Sequence, residues 1–218
     1  MNHRLGTTFV IMLLATASAG LGEQSTSLLE KSERSRANDW FDKGSQDARQ
    51  QQYESAIDAY TKALALNPGF VEAYTARGSV FVRTGRNERA LEDFNKALAL
   101  DRNNVAAYNN RGMIYFHRGN YGRAVEDLSK AISASPNTVT YHLNRAAAYT
   151  GLKQFEKAIA DYTNAIGMEP ANADAFAGRG NASYSLGRTE QAMNDLKKAC
   201  SLGSESGCKS LKTLTKSK

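Results

Sequence analysis

An Arg-Gly pair returns at a fixed interval along the chain. Arg77-Gly78, Arg111-Gly112 and Arg179-Gly180 keep step with Arg145-Ala146, each 34 residues from the next. The three prolines obey the same clock, Pro68, Pro136 and Pro170 being 68 and 34 residues apart. A short unit repeated in this way cannot bury its apolar face alone, so neighbouring units must stack to share one core. Five units follow, 37–70, 71–104, 105–138, 139–172 and 173–206, and residues are numbered 1 to 34 within each. Position 8 holds Gly44, Gly78, Gly112, Ala146 and Gly180. Position 20 is alanine in every unit (56, 90, 124, 158, 192), and so is position 27 (63, 97, 131, 165, 199). Small residues at helical spacing let two helices cross closely. Bulky residues fill the space between: Trp40, Tyr74, Tyr108, His142 and Phe176 at position 4, and Tyr60, Phe94, Leu128, Tyr162 and Leu196 at position 24. Proline at position 32 cannot continue a helix, because it lacks the N–H.

With this period and these small-residue positions the chain resembles the tetratricopeptide repeat (TPR) family over all five units. The resemblance implies an all-α fold, a right-handed α-solenoid of five TPR helix-turn-helix units. The segment 207–218, with "GCKSLKTLTK", reads as an amphipathic capping helix and tail. Residues 20–36 read as a linker or short helix ahead of the repeats.

The segment "RGMIYFHRG", 111–119, has the arginine, glycine and aromatics of a nucleic-acid platform, and Arg111, Gly112 and Tyr115 fit the RNA-recognition octamer. Met113, Ile114, Phe116 and Arg118 do not. The stretch is instead the first helix of unit three, with Gly112 as a close-packing site and Tyr115 in the core. Position 7 carries Arg77, Arg111, Arg145 and Arg179, and position 23 carries Asp93, Asp127, Asp161 and Asp195. Unit one lacks both, with Lys43 and Ala59 in their places. That joint loss favours Arg–Asp pairing within a unit over an anion-binding stripe. As exposed pairs they would each be worth only ~0.2–1 kcal/mol.

The N-terminus reads as a signal peptide over 1–19: a basic start with Arg4, an apolar run over 7–15 and "ASA" at 17–19, with cleavage expected between Ala19 and Gly20. The apolar run is too short to span a bilayer, and no membrane span is expected in the mature chain. Export to the periplasm or outside is therefore expected. Cys200 and Cys208 would meet an oxidising compartment, where such a pair usually becomes a disulfide. Two reduced, packed thiols are the alternative. The C-x7-C spacing also resembles cysteine-rich relatives of the family, in which it bridges neighbouring helices. No metal site is expected: there is no C-x2-C, and His117 and His142 sit in different units.

No catalytic constellation is present in the sequence: there is no G-x-S-x-G, no H-E-x-x-H and no phosphate loop. A non-enzymatic chain with no cofactor is expected. What the resemblance implies is binding. In the family, first-helix residues line a concave groove, at positions that here hold Thr75, Ser79 and Arg83 in unit two. Unit three gives Asn109, Asn110, Met113, Phe116 and His117, unit four Leu143, Asn144, Ala147 and Thr150, and unit five Asn181 and Tyr184. A groove asparagine offers both a donor and an acceptor to a peptide backbone. The lysine clamp that other members use for acidic C-terminal tails has no counterpart, since positions 2 and 5 carry no lysine in any unit. The expected partner is a protein or peptide bound by an adaptor or scaffold. The alternative is a module for an anionic polymer, nucleic acid or envelope polysaccharide, using exposed Arg and Lys. A net charge of +6 is too mild to argue for nucleic acid alone.

Overall fold

The computed structural model describes residues 31–216. The expected signal peptide over 1–19, the first part of the 20–36 segment and residues 217–218 lie outside the described residues. Eleven helices and no strand occur among the described residues. They are α1 (31–49), α2 (Tyr53–Leu66), α3 (Val71–Arg83), α4 (Asn87–Leu100), α5 (Val105–His117), α6 (Tyr121–Ala134), α7 (Val139–Gly151), α8 (Phe155–Met168), α9 (Ala173–Ser185), α10 (Thr189–Ser201) and α11 (Glu205–Lys216). None of them is long and apolar enough to cross a membrane.

The chain divides into two compact bodies, at Val80 and Phe81. In the first, Ala56, Tyr60 and Val80 are buried with Phe41, Tyr53 and Ile57 packed against them, and Ala63, Leu64 and Ala73 are buried beside Trp40, Phe70 and Tyr74. In the second, sequence neighbours are spatial neighbours: α5 pairs with α6, α7 with α8 and α9 with α10, each pair stacking on the next. The first helices of successive units also meet, α5 with α7 and α7 with α9. The last helix, α11, lies against both α10 and α9.

The alanines at positions 20 and 27 explain this closeness. All ten are fully buried. A Cβ built on Gly112 would sit 3.1 Å from Leu128 Cγ and 3.4 Å from the Ala124 carbonyl oxygen. One on Gly180 would meet Leu196 Cγ at 2.9 Å and the Ala192 carbonyl oxygen at 3.2 Å. Unit four accommodates Ala146 at the same register, fully buried.

Turn chemistry is as periodic as the packing. Position 15, between the two helices of a unit, takes the left-handed conformation throughout: Gly85, Gly119 and Gly187 at φ +73 to +74°, Lys153 at +57° and Gln51 at +61°. Second helices end at position 30, at Leu66, Leu100, Ala134 and Met168, two residues before the proline register. Unit two has Arg102 there, yet α4 stops at the same place. Its last turn is closed by the Asp101 N–H on the Ala97 carbonyl at 2.8 Å, and the Asp101 carboxylate accepts from the Asn103 N–H at 2.9 Å. Asn104 and Asn172 then cap α5 and α9, each accepting a backbone N–H at 2.9 Å.

Candidate functional site

The Arg–Asp pairs are more elaborate than exposed surface bridges. Arg111 donates Nε and Nη2 to the two oxygens of Asp127 at 2.8 and 2.7 Å, and its Nη1 to Asn95 Oδ1 at 2.6 Å. Arg179 grips Asp195 at 2.8 and 2.8 Å and reaches Thr163 Oγ1 at 3.2 Å. Arg145 does the same to Asp161 and to Ser129, and Arg77 Nη1 donates to Thr61 Oγ1 at 2.9 Å. The third contact always falls on position 25 of the preceding unit. The sequence reading did not find this position, because Thr, Asn, Ser and Thr share only a hydrogen-bonding oxygen. The expected exposure is corrected too: the aspartates are only 4–8% exposed and the arginines 18–20%. The bond to Asp127 raises the Arg111 pKa above its already high value, and the bond to Asp161 does the same for Arg145. These guanidiniums are committed to structure.

A second lattice couples positions 11 and 19. Arg89 lies over the Phe81 ring at 5.7 Å, Arg123 over Tyr115 at 5.5 Å and Lys157 over Tyr149 at 5.5 Å. In unit one the same two positions hold Asp47 and Ser55, joined at 2.6 Å from Ser55 Oγ to Asp47 Oδ2. That hydrogen bond, with Lys43 adding a second, lowers the Asp47 pKa. Within "RGMIYFHRG", Arg111 also lies over the Tyr115 ring at 6.0 Å, while Arg118 donates to Glu88 at 2.6 Å.

The expected groove residues are distributed as follows. In the first body Thr75 Oγ1 donates to its own helix at the Val71 carbonyl, 3.0 Å away. Arg83, in the second body, is exposed at the end of α3. In the second body Asn109, Met113 and Phe116 are half-buried along one stripe of α5, spaced four and then three residues apart. Asn144 Nδ2 donates to Asn109 Oδ1 at 3.0 Å, and Asn109 Nδ2 donates to Asn110 Oδ1 at 3.1 Å. The structure therefore brings three of the expected residues into one chain of amides bridging α5 and α7. His117 is exposed, its ring edge-on to Phe116 at 5.4 Å, and Tyr121 flanks Phe116 at 5.5 Å. Leu143 packs partly into the core around Ala146 and Tyr162. Asn181 is exposed on α9, one turn before Tyr184, which is 48% exposed. In unit five the amide series stops: position 6 is Gly178, and the ring of Tyr162 lies where its Cβ would be. Burial holds the Tyr162 pKa above the ordinary phenol value.

At the end of the repeats, Cys200 and Cys208 are joined, with their Cα atoms 4.6 Å apart. The bond fastens α10 to α11, as the resemblance implied. Gly207 lies directly on Ala199, where a Cβ would be 2.7 Å from the Ala199 Cβ.

The family model described as tetratricopeptide repeat matches residues 41–104, 75–138 and 143–206. The chain belongs to the tetratricopeptide repeat family. Solved TPR structures agree with it. A MamA structure is 25% identical, covers 73% of this chain and 93% of its own, and superposes with a TM-score of 0.69. MamA 41-end from Desulfovibrio magneticus RS-1 is 20% identical over 77% of this chain and 94% of its own, with a TM-score of 0.72. YrrB, described as a TPR protein with an unusual peptide-binding site, is 20% identical over 86% of this chain and 97% of its own, with a TM-score of 0.74. A search of curated proteins finds no match. The all-α fold is that of the TPR solenoids, and TPR repeats are protein-interaction scaffolds.

Proposed function

We propose that this TPR protein is an exported, non-enzymatic adaptor that holds a protein or peptide against the first-helix stripes of units three to five. The observation that carries this reading is the amide chain from Asn144 through Asn109 to Asn110. Linked amides at the surface of paired helices are pre-oriented, so less entropy is lost when they bond a ligand backbone. Met113 and Phe116 lie on the same stripe and offer apolar contact to side chains. Export is supported by the basic start, apolar run and "ASA" of the first nineteen residues and by the Cys200–Cys208 bond. Mature protein beginning at Gly20 is the expected product, checked by N-terminal sequencing of the envelope form.

The test is capture of the partner from the native envelope fraction, followed by affinity measurement with Asn109→Ala and Asn144→Ala. Each removes part of the amide chain without touching the buried alanines. A loss of roughly 1–3 kcal/mol per substitution is expected, with unchanged melting temperature. Affinity insensitive to both substitutions would overturn the reading. A steep fall of affinity with salt would point instead to a polyanion.

A further inference from the structure

A small cavity of about 230 Å³ lies where α11 closes against α9 and α10. Its floor is apolar, from Leu196 and Leu214, and its sides carry Asn181, Ser210 and Thr213. Tyr184 stands at its edge with almost half its surface exposed. Lys209 is the single charged residue lining it. Among the described residues Lys209 makes no ion pair, not even with Glu205 one turn earlier on the same helix. The volume is below the roughly 300–1,000 Å³ typical of small-molecule sites, and suits one side chain.

We infer that this cavity receives the C-terminal residue of a peptide: its free carboxylate on Lys209, and its small apolar side chain on Leu196 and Leu214. The inference deepens the adaptor reading and rests on it. Three features carry it. The charge is complementary, one ammonium with no ion pair among the described residues beside an apolar floor with no acid among the lining residues. The approach is in register, since Asn181 and Tyr184 belong to the first-helix stripe of unit five as well as to the cavity. The wall is pre-organised, because Lys209 follows Cys208, whose bond to Cys200 and the Gly207–Ala199 contact fix the first turn of α11. Such fixing reduces the ordering cost of binding. Tyr184 then gains cover for its exposed ring from the bound residue. This device is different from a clamp of groove lysines, which the chain lacks, and it depends on the capping helix.

The test is an NMR titration of the isotope-labelled, disulfide-bonded protein with acetyl-Gly-Ser-Gly-Ala-Val, as free acid and as C-terminal amide. The expected result is at least tenfold tighter binding of the acid, with shifts at Asn181, Tyr184 and Thr213. Lys209→Met should abolish the acid–amide difference, and Lys209→Arg should retain it. Lys209 is exposed, and matched melting temperatures confirm that the variants fold. Equal affinity for acid and amide, or binding of neither, would overturn the inference. Shifts confined to Asn109, Asn110 and Asn144 would also overturn it while leaving the amide stripe in place. Shifts at the cavity alone would uphold it and count against the stripe.

Discussion

Arg145 holds Asp161 through two parallel hydrogen bonds, Nε to Oδ2 at 2.7 Å and Nη2 to Oδ1 at 2.8 Å, while Nη1 reaches Ser129 on the unit before at 3.0 Å. His142 stands between two acceptors, its Nδ1 3.2 Å from Asp161 Oδ1 and its Nε2 2.9 Å from the Pro136 carbonyl, and it donates to both only when the ring carries two protons. Unit three has Tyr108 in place of that histidine, so Asp127 has Arg111 as its only side-chain hydrogen-bond partner among the described residues.

This difference makes the two arginines unequal. Arg111→Leu strands a buried carboxylate and should cost about 3 kcal/mol. Arg145→Leu leaves Asp161 with His142 and should cost measurably less at a pH low enough for that ring to carry both protons. Urea denaturation of both variants, with equal m-values, checks the order. Equal losses would mean that His142 does not support Asp161.

Gly112→Leu should be among the most damaging single changes. Its Cβ would press on Leu128 and on the Ala124 carbonyl, which is backbone and cannot rotate away. A loss of ~3 kcal/mol or more is expected. Ala146→Gly, at the same register one unit on, should cost only about 1 kcal/mol. Thermal melts separate the two.

Lys153 is a non-glycine residue in the left-handed region, at a register where three units use glycine. That conformation costs an L-residue roughly 1–2 kcal/mol, and glycine returns part of this as extra freedom in the unfolded chain. Lys153→Gly should therefore stabilise the protein by about 0.5–1 kcal/mol, read as a higher denaturation midpoint. A lower midpoint would show that the lysine side chain contributes more than its backbone costs.

Asp47 gives a pH signature. Its pKa is depressed in the folded chain, first by the Ser55 hydroxyl and then by Lys43. A depressed carboxylate binds its proton less well when folded. Its contribution to stability is thus present above the unfolded value, about 3.9, and fades as pH falls through the folded value. Ser55→Ala should remove part of this acid dependence while changing stability near neutrality by no more than the lost bond. Denaturation midpoints from pH 7 down to pH 3 test it, and identical slopes for both proteins would refute it.

Periodicity made the architecture legible before any coordinates. Glycine and alanine at positions 8, 20 and 27 are an identity signal, and identity survives in sequence. Position 25 was missed because four different residues supply the same oxygen. The left-handed position 15 was masked by Lys153 and Gln51 among its glycines. The turn after α4 lacks the proline, and what closes it, the Asp101 hydrogen bonds, carries no repeat signal in the sequence. The asparagines could be named one by one, but their joining across α5 and α7 is a distance between residues 35 apart. The cavity under α11 was invisible for the same reason, since it needs three helices at once.

The Cys200–Cys208 bond also gives the repeat array a direction. A processive protease or unfoldase arriving from the C-terminal side meets a covalent ring before it reaches unit five, and must either pass a doubled strand or wait for a reductant. Arriving from the side of α1 it meets helices held by packing and by side-chain bonds such as Ser55 to Asp47, with no covalent closure among the described residues. Degradation of the oxidised protein should therefore run from the first unit towards the last, leaving the α9–α11 end as the longest-lived fragment.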